Sequence, residues 1–121
     1  MAQYSIGTRT FTAGEDLVAY RRVKLSGASV VYSAQGEDFI GVTETAASSG
    51  EKVTVALLGG RTHKCAASEA LSAGAVIYGA NSGKVSDTAV GPAVGYALEA
   101  ALADGDIIEV IFDKSVGESW S

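Results

Sequence analysis

The stretch FIGVTETAASSGEKVTVALL (Phe39–Leu58) returns later in the chain as AVGYALEAALADGDIIEVIF (Ala93–Phe112), with one residue inserted. Ile40-Gly41-Val42 matches Val94-Gly95-Tyr96, Gly50 matches Gly105, and Val53, Val55 and Leu57 match Ile108, Val110 and Phe112. Glu44 falls on Leu98, or on Glu99 if the insertion lies earlier. Upstream, TAGEDLVAYRRVKLSGASVV answers LSAGAVIYGANSGKV more loosely, pairing Ala13-Gly14 with Ala73-Gly74 and Val31 with Val85. An internal repeat in a chain of 121 residues restricts the fold to architectures that a short unit can build twice.

Period-two alternation identifies the unit as β. In Lys52–Leu58 the side chains of Val53, Val55 and Leu57 share a face, with Thr54 and Ala56 opposite. In Ile107–Phe112 the set Ile108, Val110 and Phe112 does the same. Its other face, Ile107 and Ile111 around Glu109, is apolar at both ends, which predicts a strand covered on both sides. Turns are marked by Ser26-Gly27, Gly36, Ser49-Gly50, Gly59-Gly60, Asn81-Ser82-Gly83 and Asp104-Gly105. The uncharged stretch ALSAGAVIYGANSG (Ala70–Gly83) then reads as core strands Ala75–Tyr78 and Lys84–Ser86 around an Asn-Ser-Gly turn, too short and glycine-rich to span a bilayer. Only Cys65–Leu71 and Ala97–Ala103 have helical composition, and each is about two turns, too short to persist without packing. The expected fold is all-β, a small barrel or sandwich of two related strand units with at most one or two short helical turns. The pseudo-repeat spans 13–58 and 73–112 of a single domain, 13–114, flanked by an N-terminal arm (1–12) and a C-terminal tail (115–121).

The formal charge of −5 argues against nucleic acid as a partner, because such affinity comes chiefly from lysines and arginines set against phosphates. Arg21-Arg22-Val23-Lys24 is the nearest approach to a basic patch and reads as the solvated face of a strand. A single cysteine, Cys65, excludes an internal disulfide framework. The opening MAQYSIGTRTFTAGED has no apolar run of signal-peptide length, so the expectation is a soluble protein made in a cytoplasm, without a membrane partner.

Catalytic patterns do not emerge. His63, the lone histidine, lies two residues from Cys65, so on a strand the two share a face. The nearest carboxylate, Glu69, falls in the next segment and is poorly placed to orient the imidazole as a nucleophilic pair needs. His63 is therefore read as a half-exposed strand residue and Cys65 as a small buried hydrophobe. Gly59-Gly60-Arg61-Thr62 lacks the lysine and helix of a phosphate loop. Glu15-Asp16, Glu37-Asp38 and Asp104/Asp106 sit in turns and match no calcium-binding loop. No catalytic, cofactor or metal site is predicted.

The segments AYRRVKLSGASVVYSAQGEDFIGVTETAASSGEKVTVALLGG, ALSAGAVIYGANSGKVSD and AVGYALEAALADGDIIEVIFDK together resemble the small capsid decoration (cement) proteins of tailed bacteriophages. The likeness runs from Phe11 to Lys114 and is nearest to a small β-rich family at times mislabelled as recombinases. It rests on the order of an Ala-Gly opening, a G-x-V strand, an IG-V/Y-A strand, a Gly-Asp/Glu turn and a terminal alternating strand. The resemblance implies a β-rich fold, assembly on the outer capsid surface against the major capsid protein, homo-oligomers and in particular trimers, and no enzymatic activity. The terminal pieces fit poorly into the repeat yet carry apolar anchors, so Tyr4, Ile6, Phe11 and Trp120, with Arg21 and Arg22, are the expected capsid or oligomer contacts. Attachment is expected through arms and loop edges more than through sheet faces. The competing readings are a carbohydrate-binding or tail-associated adhesion module, disfavoured by the scattered aromatics, and an enzyme built on His63 and Cys65.

Overall fold

The computed structural model of the protein describes residues 7–58 and 62–113. Among them ten strands follow in chain order: β1 Thr8–Ala13, β2 Arg22–Ser26, β3 Ser29–Tyr32, β4 Gly41–Thr43, β5 Lys52–Leu57, β6 Thr62–Ala66, β7 Val76–Gly79, β8 Val85–Ser86, β9 Ala93–Ala97 and β10 Ile107–Phe112. The described residues hold no α-helix, only a 3-10 turn at Asn81–Gly83. The fold is all-β, as the alternation requires.

The first five strands close into a barrel in the order β1-β3-β2-β4-β5, and the second five form a sheet in the order β6-β10-β9-β7-β8. Each strand of the second order is the counterpart, five places on, of a strand of the first. The seam closing the barrel is the parallel pair β1–β3, with Ala13 opposite Val30. Its counterpart in the second unit is a single parallel bridge, Ala67–Val85, so that unit is a barrel with one seam open.

Hydrogen bonds place the repeat residue by residue. Gly50 and Gly105 each donate to the alanine ending the first strand region of their unit, Ala13 and Ala67, both at 2.8 Å. Gly41 lies opposite Leu57 as Gly95 lies opposite Phe112. Glu44 donates to Thr54 and Leu98 to Glu109, which makes Leu98 the counterpart of Glu44. The insertion therefore comes later, where Leu102–Asp104 replace Ser48–Ser49.

Upstream the register differs from the expected one. Gly14 donates to Val30 and Ser68 to Val85, so Ala13-Gly14 corresponds to Ala67-Ser68 and Val30 to Val85. The two Ala-Gly dipeptides misled because they serve different geometries. Gly74 turns the chain at φ +86°, whereas Gly14 sits under Val31, whose Cγ1 a side chain at Gly14 would meet at 2.8 Å. The segments of helical composition are not helical. Leu17 bridges Ala47 and Leu71 bridges Ala101 in equivalent places, so pairing across the unit wins over a helix too short to nucleate.

Two further expectations change. Residues 8–12, assigned to the N-terminal arm, belong to β1: Thr10 pairs with Thr54 and Phe11 with Val53. The outer face of β10 is open to solvent, with Ile107 43% exposed, so β10 is covered on one side only.

Leu17, Val23, Val30, Val53 and Val55 fill the first barrel. Ile77, Val85, Val94, Ile108 and Val110 fill the second, joined there by Phe39 and Val42 of the first unit. Phe39 meets Phe112 edge-on with ring centroids 4.9 Å apart. Because the first unit contributes to the second core, the units are not independent beads.

Candidate functional site

The open seam of the second unit is filled by the chain entering β2. Tyr20 adopts φ +67°, a left-handed conformation uncommon for a side chain of its size. Its carbonyl accepts the Ala66 N–H at 2.9 Å, giving the edge strand β6 a partner from the other unit. Gly83 donates to the Ser33 carbonyl at 2.9 Å, and the Asn81 side-chain oxygen accepts from Gln35 at 3.0 Å.

Arg22 locks this junction. Its side chain is wholly buried, with Nε donating to the Lys84 carbonyl at 2.9 Å, Nη2 to the Ala80 carbonyl at 2.6 Å and Nη1 to Ser33 Oγ at 3.1 Å. The guanidinium stacks on Phe39, 4.9 Å from the ring centroid. Burial holds its pKa below the ordinary arginine value, with the Glu37 carboxylate pulling the other way. Gly79 makes room for it: a Cβ there would stand 2.8 Å from Nη1.

His63 and Cys65 do share a face of β6, but that face points inward. Burial pushes the Cys65 thiol up to about 12, against the opposing influence of the Arg22 charge, so at neutral pH it is the protonated thiol and not the nucleophilic thiolate. Its sulfur lies 3.6 Å from the Gly83 carbonyl, inside the junction. His63 is 6% exposed rather than half exposed; its Nε2 is 3.2 Å from the Leu57 carbonyl and its ring packs 5.5 Å from that of Phe112. Beside it a cleft of about 310 Å³ separates β4 and β5 from β6 and β10, with Tyr20, Glu44, Lys64 and Glu109 on its walls.

The residues expected to make contacts fall into three surroundings. Tyr4, Ile6 and Trp120 lie outside the described residues. Phe11 is half-buried against the first core, with the Arg9 guanidinium 5.2 Å from its ring centroid. Arg21, partly buried, donates to the Ser82 carbonyl at 3.1 Å and lies 5.8 Å from the Tyr32 ring centroid. Arg22 is inside the molecule, so it belongs neither to a solvated strand face nor to an external contact surface. Its neighbour Lys24 is the solvated member, pairing with Glu37 at 2.7 Å and holding that carboxyl below the usual carboxylate range.

The apolar ends of the outer face of β10 were legible in the sequence as a covered face, but its exposure and its continuation across β7 and β9 were not. Val76, Tyr96 and Ile111 form one row across β7, β9 and β10. Leu98 follows Tyr96 on the same side, beside Glu109. The repeat held the signal: Leu98 and Ile107 stand where the first unit has Glu44 and Lys52.

Against proteins of known family, residues 2–112 match the phage cement protein family. The chain belongs to that family. This cement protein is thus a structural protein of a phage capsid. The head fiber gp8.5 N base of bacteriophage phi29 shares its fold, with a TM-score of 0.75 at 18% identity, over 88% of this chain and 93% of that one. No curated protein matches the cement protein's sequence.

Proposed function

We propose that this cement protein decorates the outer surface of a tailed-phage capsid and bridges neighbouring major capsid subunits, opposing their separation. The family match over residues 2–112 is the observation that carries this reading, and the fold shared with a head-fiber base supports it. The physical demands agree with the architecture. A cement must transmit load between subunits without deforming, and two cores joined by a buried arginine and shared aromatic packing resist shear better than two tethered domains. A domain of this size offers limited surface, whereas a stable interface takes roughly 800 Å² per partner. Homo-oligomers, trimers on three-fold positions in particular, multiply such contacts through effective concentration. Residues 1–6 and 115–121, which carry Tyr4, Ile6 and Trp120, reach adjacent subunits.

Particles lacking the protein, compared with particles to which it has been added back, test the reading. Added protein is expected to raise the temperature at which packed DNA is released. A chain without residues 1–6 is expected to bind more weakly while keeping its circular dichroism spectrum. Identical release temperatures with bound protein present would contradict bridging.

A further inference from the structure

The two units have one strand order but different outer faces. Where the first unit carries Glu44 and Lys52, the second carries Leu98, 45% exposed, and Ile107, 43% exposed. The residue inserted in the second unit falls in the turn Leu102–Asp104, and Leu102 there is 84% exposed, the most exposed large hydrophobe among the described residues. Nothing in the fold asks for apolar groups at these positions, because the first unit folds with charged ones. Tyr96, 39% exposed, extends the patch along β9 beside Ile111.

Carboxylates within and beside this patch are held in place. A Glu99 carboxylate oxygen accepts the Glu109 N–H at 2.7 Å, Asp106 accepts the Leu102 N–H at 2.8 Å, and Glu109 accepts the Thr62 hydroxyl at 2.8 Å. Lys64 lies in register with Glu109 on this face. Among the described residues, Glu99, Asp104, Asp106 and Glu109 lie in or beside the patch against Lys64 and Lys84, the latter paired with Asp104 at 2.7 Å, so negative charge is in excess there. Two copies meeting through this face about a two-fold axis would bring these excess carboxylates together, which disfavours self-pairing.

We infer that the outer face of β9 and β10, with Leu102 beside it, seats the protein on the shell. Its partner is an apolar patch bordered by lysines or arginines on the major capsid protein. This inference rests on the capsid-decorating reading and names the surface that performs it. It assigns to a sheet face the attachment that sequence reasoning gave mainly to arms and loop edges.

The first unit supplies the test substitutions. Leu98→Glu with Ile107→Lys installs the residues used at equivalent positions and leaves net charge unchanged. Binding to shells of the major capsid protein, read by co-sedimentation, is expected to weaken about tenfold or more. Leu102→Ser, at a turn with little packing to lose, is expected to weaken it severalfold and covers the case of a double variant that fails to fold. Leu25→Glu, at an exposed leucine of the first unit, is expected to bind as the wild type does. Added salt is expected to weaken wild-type binding. Folded variants that decorate shells with undiminished affinity would overturn the assignment. So would variants that lose self-association in sedimentation velocity yet keep shell binding, since the face would then join copies. Wild-type protein that binds no shell at all would instead remove the capsid reading itself.

Discussion

Arg22→Ala is expected to lower the free energy of unfolding by about 3–5 kcal/mol, measured by urea denaturation. The substitution strips donors from the buried carbonyls of Ala80 and Lys84 and from Ser33 Oγ, and opens a cavity against Phe39. A buried acceptor left without a donor costs about 1–3 kcal/mol, and truncating a large buried side chain adds a cavity term of similar size. Arg22→Lys restores the charge without the planar fork, so it is expected to recover less than half of the loss. The effect should be cooperative across the molecule, because the guanidinium spans β2 of one unit and the β7–β8 turn of the other. A loss below about 1 kcal/mol would show that the junction is held by its backbone hydrogen bonds and shared core alone.

Gly95→Ala is the second large effect, with an expected loss of about 3 kcal/mol or more and a matching fall in thermal midpoint. Gly95 lies in the middle of β9, paired with Phe112 of the adjacent antiparallel β10, and an added Cβ would collide with the Ile111 carbonyl oxygen. The obstacle is backbone in a paired strand, so relief requires shifting the β9–β10 ladder rather than rotating a side chain. Gly41, its counterpart on β4, faces the Ala56 carbonyl in the same way, and Gly41→Ala is expected to behave alike. An alanine variant with an unchanged midpoint at either position would show that the ladder yields, contrary to the close packing described.

These two effects differ in how far the sequence announces them. The central glycines, the strands that hold them and the alternation of β5 and β10 are legible because they are local and occur twice. The upstream register was not legible, since Ala-Gly at 13–14 and at 73–74 looks identical while only Gly74 takes a positive φ. Arg22 was hidden for a different reason. A charged residue beside Arg21 and Lys24 reads as solvated, and its burial depends on carbonyls some sixty residues away whose convergence is a tertiary fact. His63 was misjudged similarly, because its cover comes from Leu57 and Phe112 on other strands. The apolar outer face lay between these extremes. Comparing the repeats set Leu98 or Glu99 against Glu44, and only the register of hydrogen bonds decides for Leu98.

The role rests on where the protein sits, and electron cryomicroscopy of decorated particles measures that directly. The account predicts density for both five-stranded units on the outer surface of the shell, straddling a contact between adjacent major capsid subunits, with the β9–β10 face toward the shell. Density confined to a single capsid subunit, or found only on the tail, would contradict it.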